Sequence, residues 1–226
     1  MSELCYILDA SSLEKGIGNV KRWCDPQRAH KFSRLSLYIP TFTLQELDFL
    51  RYRRNSHTAK ESLHFIDQAE FPPTVDVIIE FPELLDTILW SDVLDHQAAD
   101  AAPEFDLRAG TTTARALPRR LRNLLKSCVY KCHLEGANNQ TWTLITEDPA
   151  IRGLAQAFQI PCCSLVAADQ EISKKLDKRA AQQNARFSSY LKKKSTREVS
   201  NGKEVYRAKF DQAIYAPRGA GELWNP

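Results

Sequence analysis

Cys5-Tyr6-Ile7-Leu8-Asp9-Ala10-Ser11-Ser12-Leu13 is the stretch that decides the fold. Apolar residues with strand propensity run into an aspartate, and small hydroxylated residues that open helices follow at once. A buried parallel strand with a carboxylate at its C-terminal end reads this way, and that end is where open α/β sheets place their ligand sites. The same order returns in Leu37-Tyr38-Ile39-Pro40-Thr41-Phe42-Thr43-Leu44-Gln45-Glu46 and in Thr143-Leu144-Ile145-Thr146-Glu147-Asp148-Pro149. With these strands side by side, Asp9, Glu46 and Asp148 are expected to converge on one crevice.

On either side of these stretches the chain alternates helix and strand. Residues 12–23 have helical spacing, with Leu13, Ile17, Val20 and Trp23 apolar and Gly16 and Gly18 placed to let a neighbour approach. Residues 35–39 form a second strand. Thr43-Leu44-Gln45-Glu46 fits a capping box that starts a helix at Thr43. Residues 56–69 form another helix, and residues 75–79 a third strand, apolar enough to be buried on both faces. Residues 81–96 read as one helix and residues 117–135 as one long helix. Residues 141–145 are the fourth strand, and Asp148-Pro149 reads as an N-cap with proline at the first helical position. Residues 160–166 are the fifth strand. The order predicts an α/β protein, a mostly parallel sheet with helices on both faces.

The chain has 226 residues, and no apolar run approaches the roughly 18 residues of a membrane span. The N-terminus lacks a secretory pattern, the six cysteines form no Cys-x-x-Cys pair, and the five histidines show no ligand spacing. A soluble, cytoplasmic monomer with core thiols and no zinc site or cofactor is expected. Net charge is only +3, but residues 173–226 hold 13 Lys/Arg against 5 Asp/Glu, whereas the rest holds 18 against 23. An acidic body and a basic extension form a two-part chain: residues 1–167 as the body, a mobile loop over about 97–116, a linking helix over 168–183 and an extended basic arm over 184–226. Along the arm, Phe210, Tyr215, Leu223 and Trp224 are large apolar side chains of the kind that anchor interfaces. Arg218 offers a bidentate charge, and Gly219 and Gly221, before Glu222, let the backbone lie close to a surface. These eight residues are the candidate partner-binding set.

The acid after the first strand, Glu46 on its strand-then-helix element, and Leu144-Ile145-Thr146-Glu147-Asp148 together resemble the PIN domain, an α/β nuclease fold. The resemblance implies that carboxylates hold Mg²⁺ or Mn²⁺ and activate water for RNA cleavage, which here assigns Asp9, Glu46 and Asp148 as the acidic cluster. Residues 9–24, 39–50, 88–92 and 218–224 further resemble a budding-yeast family of PIN-domain accessory factors of nonsense-mediated mRNA decay. That resemblance implies a C-terminal arm that binds the pathway's central RNA helicase.

One departure bears on chemistry. PIN nucleases carry another aspartate at the start of the long helix before the fourth strand, where this chain has Leu121, Arg122 and Asn123. Arg122 is expected to pair with Asp9 or Asp148 and neutralise the crevice, with Asp92 the one available stand-in. The expectation is therefore a pseudo-nuclease with no catalytic residues, tethered by its arm. The alternative is a metal-dependent endoribonuclease using Asp9, Glu46 and Asp148. A third reading, an RNA-binding protein gripping through the arm's basic residues, gives the acidic body no RNA contact of its own.

Overall fold

The computed structural model describes residues 3–26, 34–68, 70–99, 101, 105, 107, 117–135 and 140–176. All lie in the first of the two units into which the chain divides, Met1–Ala180 and Ala181–Pro226. Five strands, β1 (Leu4–Leu8), β2 (Leu35–Ile39), β3 (Val75–Ile79), β4 (Trp142–Ile145) and β5 (Cys162–Cys163), form one sheet in the order β3-β2-β1-β4-β5. Every pairing is parallel, and Tyr6 of β1 lies opposite Leu37 on one side and Thr143 on the other. The expected α/β fold is observed, in an arrangement compatible with a PIN-like domain.

Alternation along β1 divides the core in two. Leu4, Tyr6 and Leu8 face one layer, with Leu13, Val20 and Trp23 of helix α1 (Ala10–Trp23) and Leu47 of α2 (Thr41–Arg53). Ala59 of α3 (His57–Gln68) completes that side together with α8 (Leu165–Leu176). Cys5 and Ile7 face the other layer. It is built from Val93 of α5 (Trp90–Asp95), Leu124 and Cys128 of α6 (Arg119–Val129), and Leu154 of α7 (Pro149–Ala157). The short helix α4 (Pro82–Thr87) precedes α5.

Several local expectations are corrected. The capping box does not form. The helix α2 begins two residues earlier, after Pro40, and the buried Thr43 hydroxyl donates to the Leu8 carbonyl at 2.8 Å, so it fastens α2 to the end of β1. The strand β3 lies at the sheet edge, with Ile78 37% and Ile79 42% exposed; an apolar five-residue run reads alike at an edge or in the centre. The helix expected over 81–96 is two helices, because Ile88 turns extended (φ −88°, ψ 112°) and drops its side chain into the core. The helix from Arg119 ends at Val129 and continues as one π-helical turn, Tyr130–Leu134, closed by the Glu135 amide donating to the Tyr130 carbonyl at 2.8 Å.

The fifth strand is only two residues long. Ser164 then starts α8, its hydroxyl accepting from the Ala167 amide at 3.2 Å. This helix, read from sequence as a link starting near residue 168, places Leu165, Ala168 and Ile172 in the core. Tyr6 of β1 donates its hydroxyl to Glu171 at 2.9 Å, and the Trp23 indole donates to Asp169 at 2.8 Å. Gly16 is where close approach matters: its backbone leaves helical geometry (φ −135°), and a Cβ there would run into the Leu165 side chain.

Part of the loop expected over 97–116 is anchored. The Gln97 amide group donates to the Phe105 carbonyl at 3.4 Å and accepts from the Leu107 amide at 3.3 Å, and the Ala98 amide donates to Ala157 at 2.8 Å. All six cysteines are free; Cys5, Cys24 and Cys128 are buried and the others half-buried. Among the described residues, no helix is long and apolar enough to cross a membrane.

Candidate functional site

Asp9 ends β1 and caps α1. Its Oδ2 accepts from the Ser11 hydroxyl at 2.6 Å, the Thr146 hydroxyl at 3.0 Å and the Ser11 amide at 3.3 Å. Its Oδ1 is buried and has no hydrogen-bond partner among the described residues, and the residue is 1% exposed. Burial pushes the carboxyl above its ordinary value, against the opposing pull of the Ser11 and Thr146 hydrogen bonds.

The hydroxyls of Ser11 and Thr146 knit β1 to β4. The Ser11 hydroxyl accepts from the Glu147 amide at 2.9 Å, and the Thr146 hydroxyl accepts from the Asp148 amide at 3.1 Å. Asp9 and Asp148 therefore do sit at one sheet edge, joined through Thr146. The Asp148 carboxylate makes a local contact of its own. Its Oδ1 accepts from the Ala150 amide at 2.8 Å and caps α7. Glu147 next to it accepts from the Leu165 amide at 2.7 Å and holds the start of α8.

Glu46 lies on α2 and receives Arg120 Nη1 of α6 at 3.2 Å. Arg122, expected against Asp9 or Asp148, pairs with neither. Its Nε donates to the Leu117 carbonyl at 3.1 Å, and its guanidinium lies 5.6 Å from the Trp90 ring centroid. The neutralising arginine is thus Arg120, on the same helix, and it acts on Glu46. Asp92 accepts from the neighbouring Ser91 hydroxyl at 3.1 Å.

A divalent ion needs several oxygens converging on one point. Here one Asp9 oxygen is engaged by two hydroxyls, Glu46 is ion-paired and Asp148 is a helix cap. Among the described residues, no group of three or more His, Cys, Asp or Glu is placed to hold a metal ion. The single free oxygen of Asp9 is not enough, and the residues present do not fit the metal that a PIN nuclease implies. Phe210, Tyr215, Arg218, Gly219, Gly221, Glu222, Leu223 and Trp224 lie outside the described residues.

No protein-family model matches the chain. Similarity to individual proteins is extensive. A Saccharomyces cerevisiae protein named nonsense-mediated decay protein 4 is 46% identical over 229 residues, covering the whole of both chains. A Candida glabrata protein of the same name is 41% identical, again over the full length of both. A third, from Kluyveromyces lactis, is 34% identical over 99% of this chain and 96% of its own. The chain belongs to the nonsense-mediated decay protein 4 family. Membership ties it to nonsense-mediated decay, the pathway for which its relatives are named.

Two features of this member of the nonsense-mediated decay protein 4 family escaped sequence reasoning. Thr146 and Ser11 are the residues that tie Asp9 down, and in the sequence motifs both stood as mere neighbours of the acids. Glu80 is a fourth acid after a strand, following Val75–Ile79 directly, and it was legible by the rule that found the other three. It is buried: its carboxylate accepts from the Tyr38 hydroxyl at 2.7 Å and from the Thr41 amide at 2.7 Å, fixing the first turn of α2.

Proposed function

We propose that this protein is an accessory factor of nonsense-mediated mRNA decay whose PIN-like body does not cleave RNA and whose C-terminal arm, residues 184–226, binds the pathway's RNA helicase in the cytoplasm. The observation that carries the non-catalytic half is the separate engagement of the three acids: Asp9 by Ser11 and Thr146, Glu46 by Arg120, Asp148 by Ala150. Carboxylates committed to capping and ion pairing are poorly placed to share a divalent ion. Family membership and the composition of the arm support the helicase half. In the arm, Trp224, Leu223 and Arg218 are the anchors, and Phe210, Tyr215, Gly219, Gly221 and Glu222 complete the contact set.

One observation favours the endoribonuclease reading. Asp9 Oδ1 is buried at the sheet edge without a hydrogen-bond partner among the described residues, as an oxygen kept for a metal would be. Two measurements separate the readings. Purified protein incubated with single-stranded RNA in Mn²⁺ is expected to leave it intact; cleavage abolished by Asp9→Asn would establish the nuclease. In calorimetric titration against the helicase core, Trp224→Ala is expected to weaken binding by roughly 2–4 kcal/mol. Parental affinity in that variant, with binding lost only when the folded body is deleted, would move the contact from the arm to the body.

A further inference from the structure

A cleft of about 530 Å³ opens beside the starts of α2 and α4, on the β2–β3 side of the carboxyl edge. Gln45 of α2, Trp90 of α5 and Arg119, Arg122, Asn123 and Lys126 of α6 line it. The α6 residues recur at three- and four-residue spacing, so one helix face delivers all four to the same opening. Against three cations the lining holds a single carboxylate, Asp86.

The charge in this cleft is unspent. Neighbouring Arg120 is paired with Glu46, but none of Arg119, Arg122 and Lys126 has an ion-pair partner among the described residues. Arg122 and Lys126 are instead held in place through main-chain carbonyls, Arg122 on Leu117 and Lys126 on Leu85 at 2.9 Å. Two of the cations are thus positioned, and desolvation by a neutral ligand would leave them uncompensated.

We propose that this cleft binds single-stranded RNA, seating one nucleotide with its phosphate on Arg119 and Lys126 and its base against Trp90 and Arg122. The composition distinguishes RNA from an acidic peptide, which would use the cations alone. The Trp90 ring and the Arg122 guanidinium are planar faces, the two surfaces on which unpaired bases stack. Gln45 and Asn123 each carry an amide donor and an amide acceptor, which suits the mixed edges of bases. The volume falls within the range of roughly 300–1,000 Å³ typical of small-ligand sites. The site uses none of Asp9, Glu46 or Asp148 and does not depend on what the arm binds. It also explains why an acidic body need not exclude RNA, since the phosphate interaction is local.

The test is fluorescence anisotropy with a labelled oligouridylate of about twelve nucleotides, within the site-size range of single-strand binders. It uses the full chain, both as parent and with the arm's basic run reversed (Lys192→Glu, Lys193→Glu, Lys194→Glu), so that arm binding does not mask the cleft. In both backgrounds Arg119→Glu with Arg122→Glu is expected to weaken binding about tenfold or more. The slope of log affinity against log salt should flatten by roughly 0.7, the one phosphate contact of Arg119 on a single strand, since Arg122 is placed against the base. Arg119→Glu alone is the variant that keeps the fold, because its side chain is exposed; about a threefold loss is expected from a single lost contact. Arg53→Glu with Arg54→Glu, an equal charge change on the exposed end of α2, is expected to stay within about twofold of the parent, the residue of screened long-range charge. Parental affinity in the Arg119 and Arg122 variants would overturn the proposal. So would an equal loss in the Arg53 and Arg54 pair. Competition by poly-glutamate or inorganic polyphosphate as effective as unlabelled oligouridylate would show a general anion site and overturn it too.

Discussion

Tyr38→Phe removes one oxygen and tests how the sheet edge is built. Tyr38 is 1% exposed and Glu80 3%, and the hydroxyl meets Glu80 Oε1 at 2.7 Å. The ring's remaining contacts, edge-on to Trp142 at 6.0 Å and beneath Lys131 Nζ at 4.6 Å, need no hydroxyl and survive the change. What is lost is the only donor to Oε1 among the described residues. A buried acceptor left without its donor costs about 1–3 kcal/mol, and a carboxyl oxygen falls in the middle to upper part of that range, so about 2 kcal/mol is expected. For a domain of this size that lowers Tm by roughly 4–8 °C. Urea unfolding should show a lower midpoint with an unchanged slope. Pairing the change with Glu80→Gln in a double-mutant cycle should give a coupling of about 1 kcal/mol or more. A loss below about 0.5 kcal/mol, or strict additivity with Glu80→Gln, would mean that Glu80 is held by something other than Tyr38 and would refute the account.

Two further outcomes follow from the same edge and its supports. Asp9 has its carboxyl raised above the ordinary 3.8, so the native state retains a proton that the unfolded chain releases. Stability should therefore fall as pH rises from the unfolded value through the folded one, with no contribution below that window. Asp9→Asn should abolish this fall, so that the variant gains on the parent as urea midpoints are followed from acid to neutral pH; parallel curves would refute it. Gly16→Ala drives a methyl into Leu165 and should destabilise by about 1–3 kcal/mol. Leu165→Val in the same chain should recover part of that loss in thermal melts, and full additivity would place the clash elsewhere.

The central part of the fold was legible because two periodicities coincide. The alternation of Leu4, Tyr6 and Leu8 with Cys5 and Ile7 marks a strand buried on both faces, and Asp9 followed by Ala10-Ser11-Ser12 marks a helix start. The same local rule placed Asp148 correctly as the cap of α7. What was illegible depends on partners distant in sequence. Nothing in Val75–Ile79 says which side of β2 it takes, or that no further described strand follows it. Thr43 and Glu46 satisfy a capping box on paper, yet Thr43 is drawn to the Leu8 carbonyl and Glu46 to Arg120. The choice between Arg120 and Arg122 as neutralising residue turns on helix phase, since two residues along a helix point to nearly opposite sides. Spacing in the chain does not resolve that choice without the orientation of α6. Ser164 is a different kind of miss. It is a conventional helix-opening residue, passed over because the mostly apolar stretch from Ile160 to Val166, broken at its start by Pro161, favoured one strand.

The attachment of α8 has a mechanical consequence. The chain continues from the end of this helix past Leu176, so a pull transmitted along the backbone at that point acts on α8. Its bonds lead inward: Glu171 to Tyr6 on β1, Asp169 to Trp23 at the end of α1. Through these side chains part of a load on α8 is carried to β1, which is hydrogen-bonded along both sides, beside the backbone path through Ser164 into the edge strand β5. A force on α8 is thereby shared between the short strand at the sheet's edge and a strand that has a neighbour on each side.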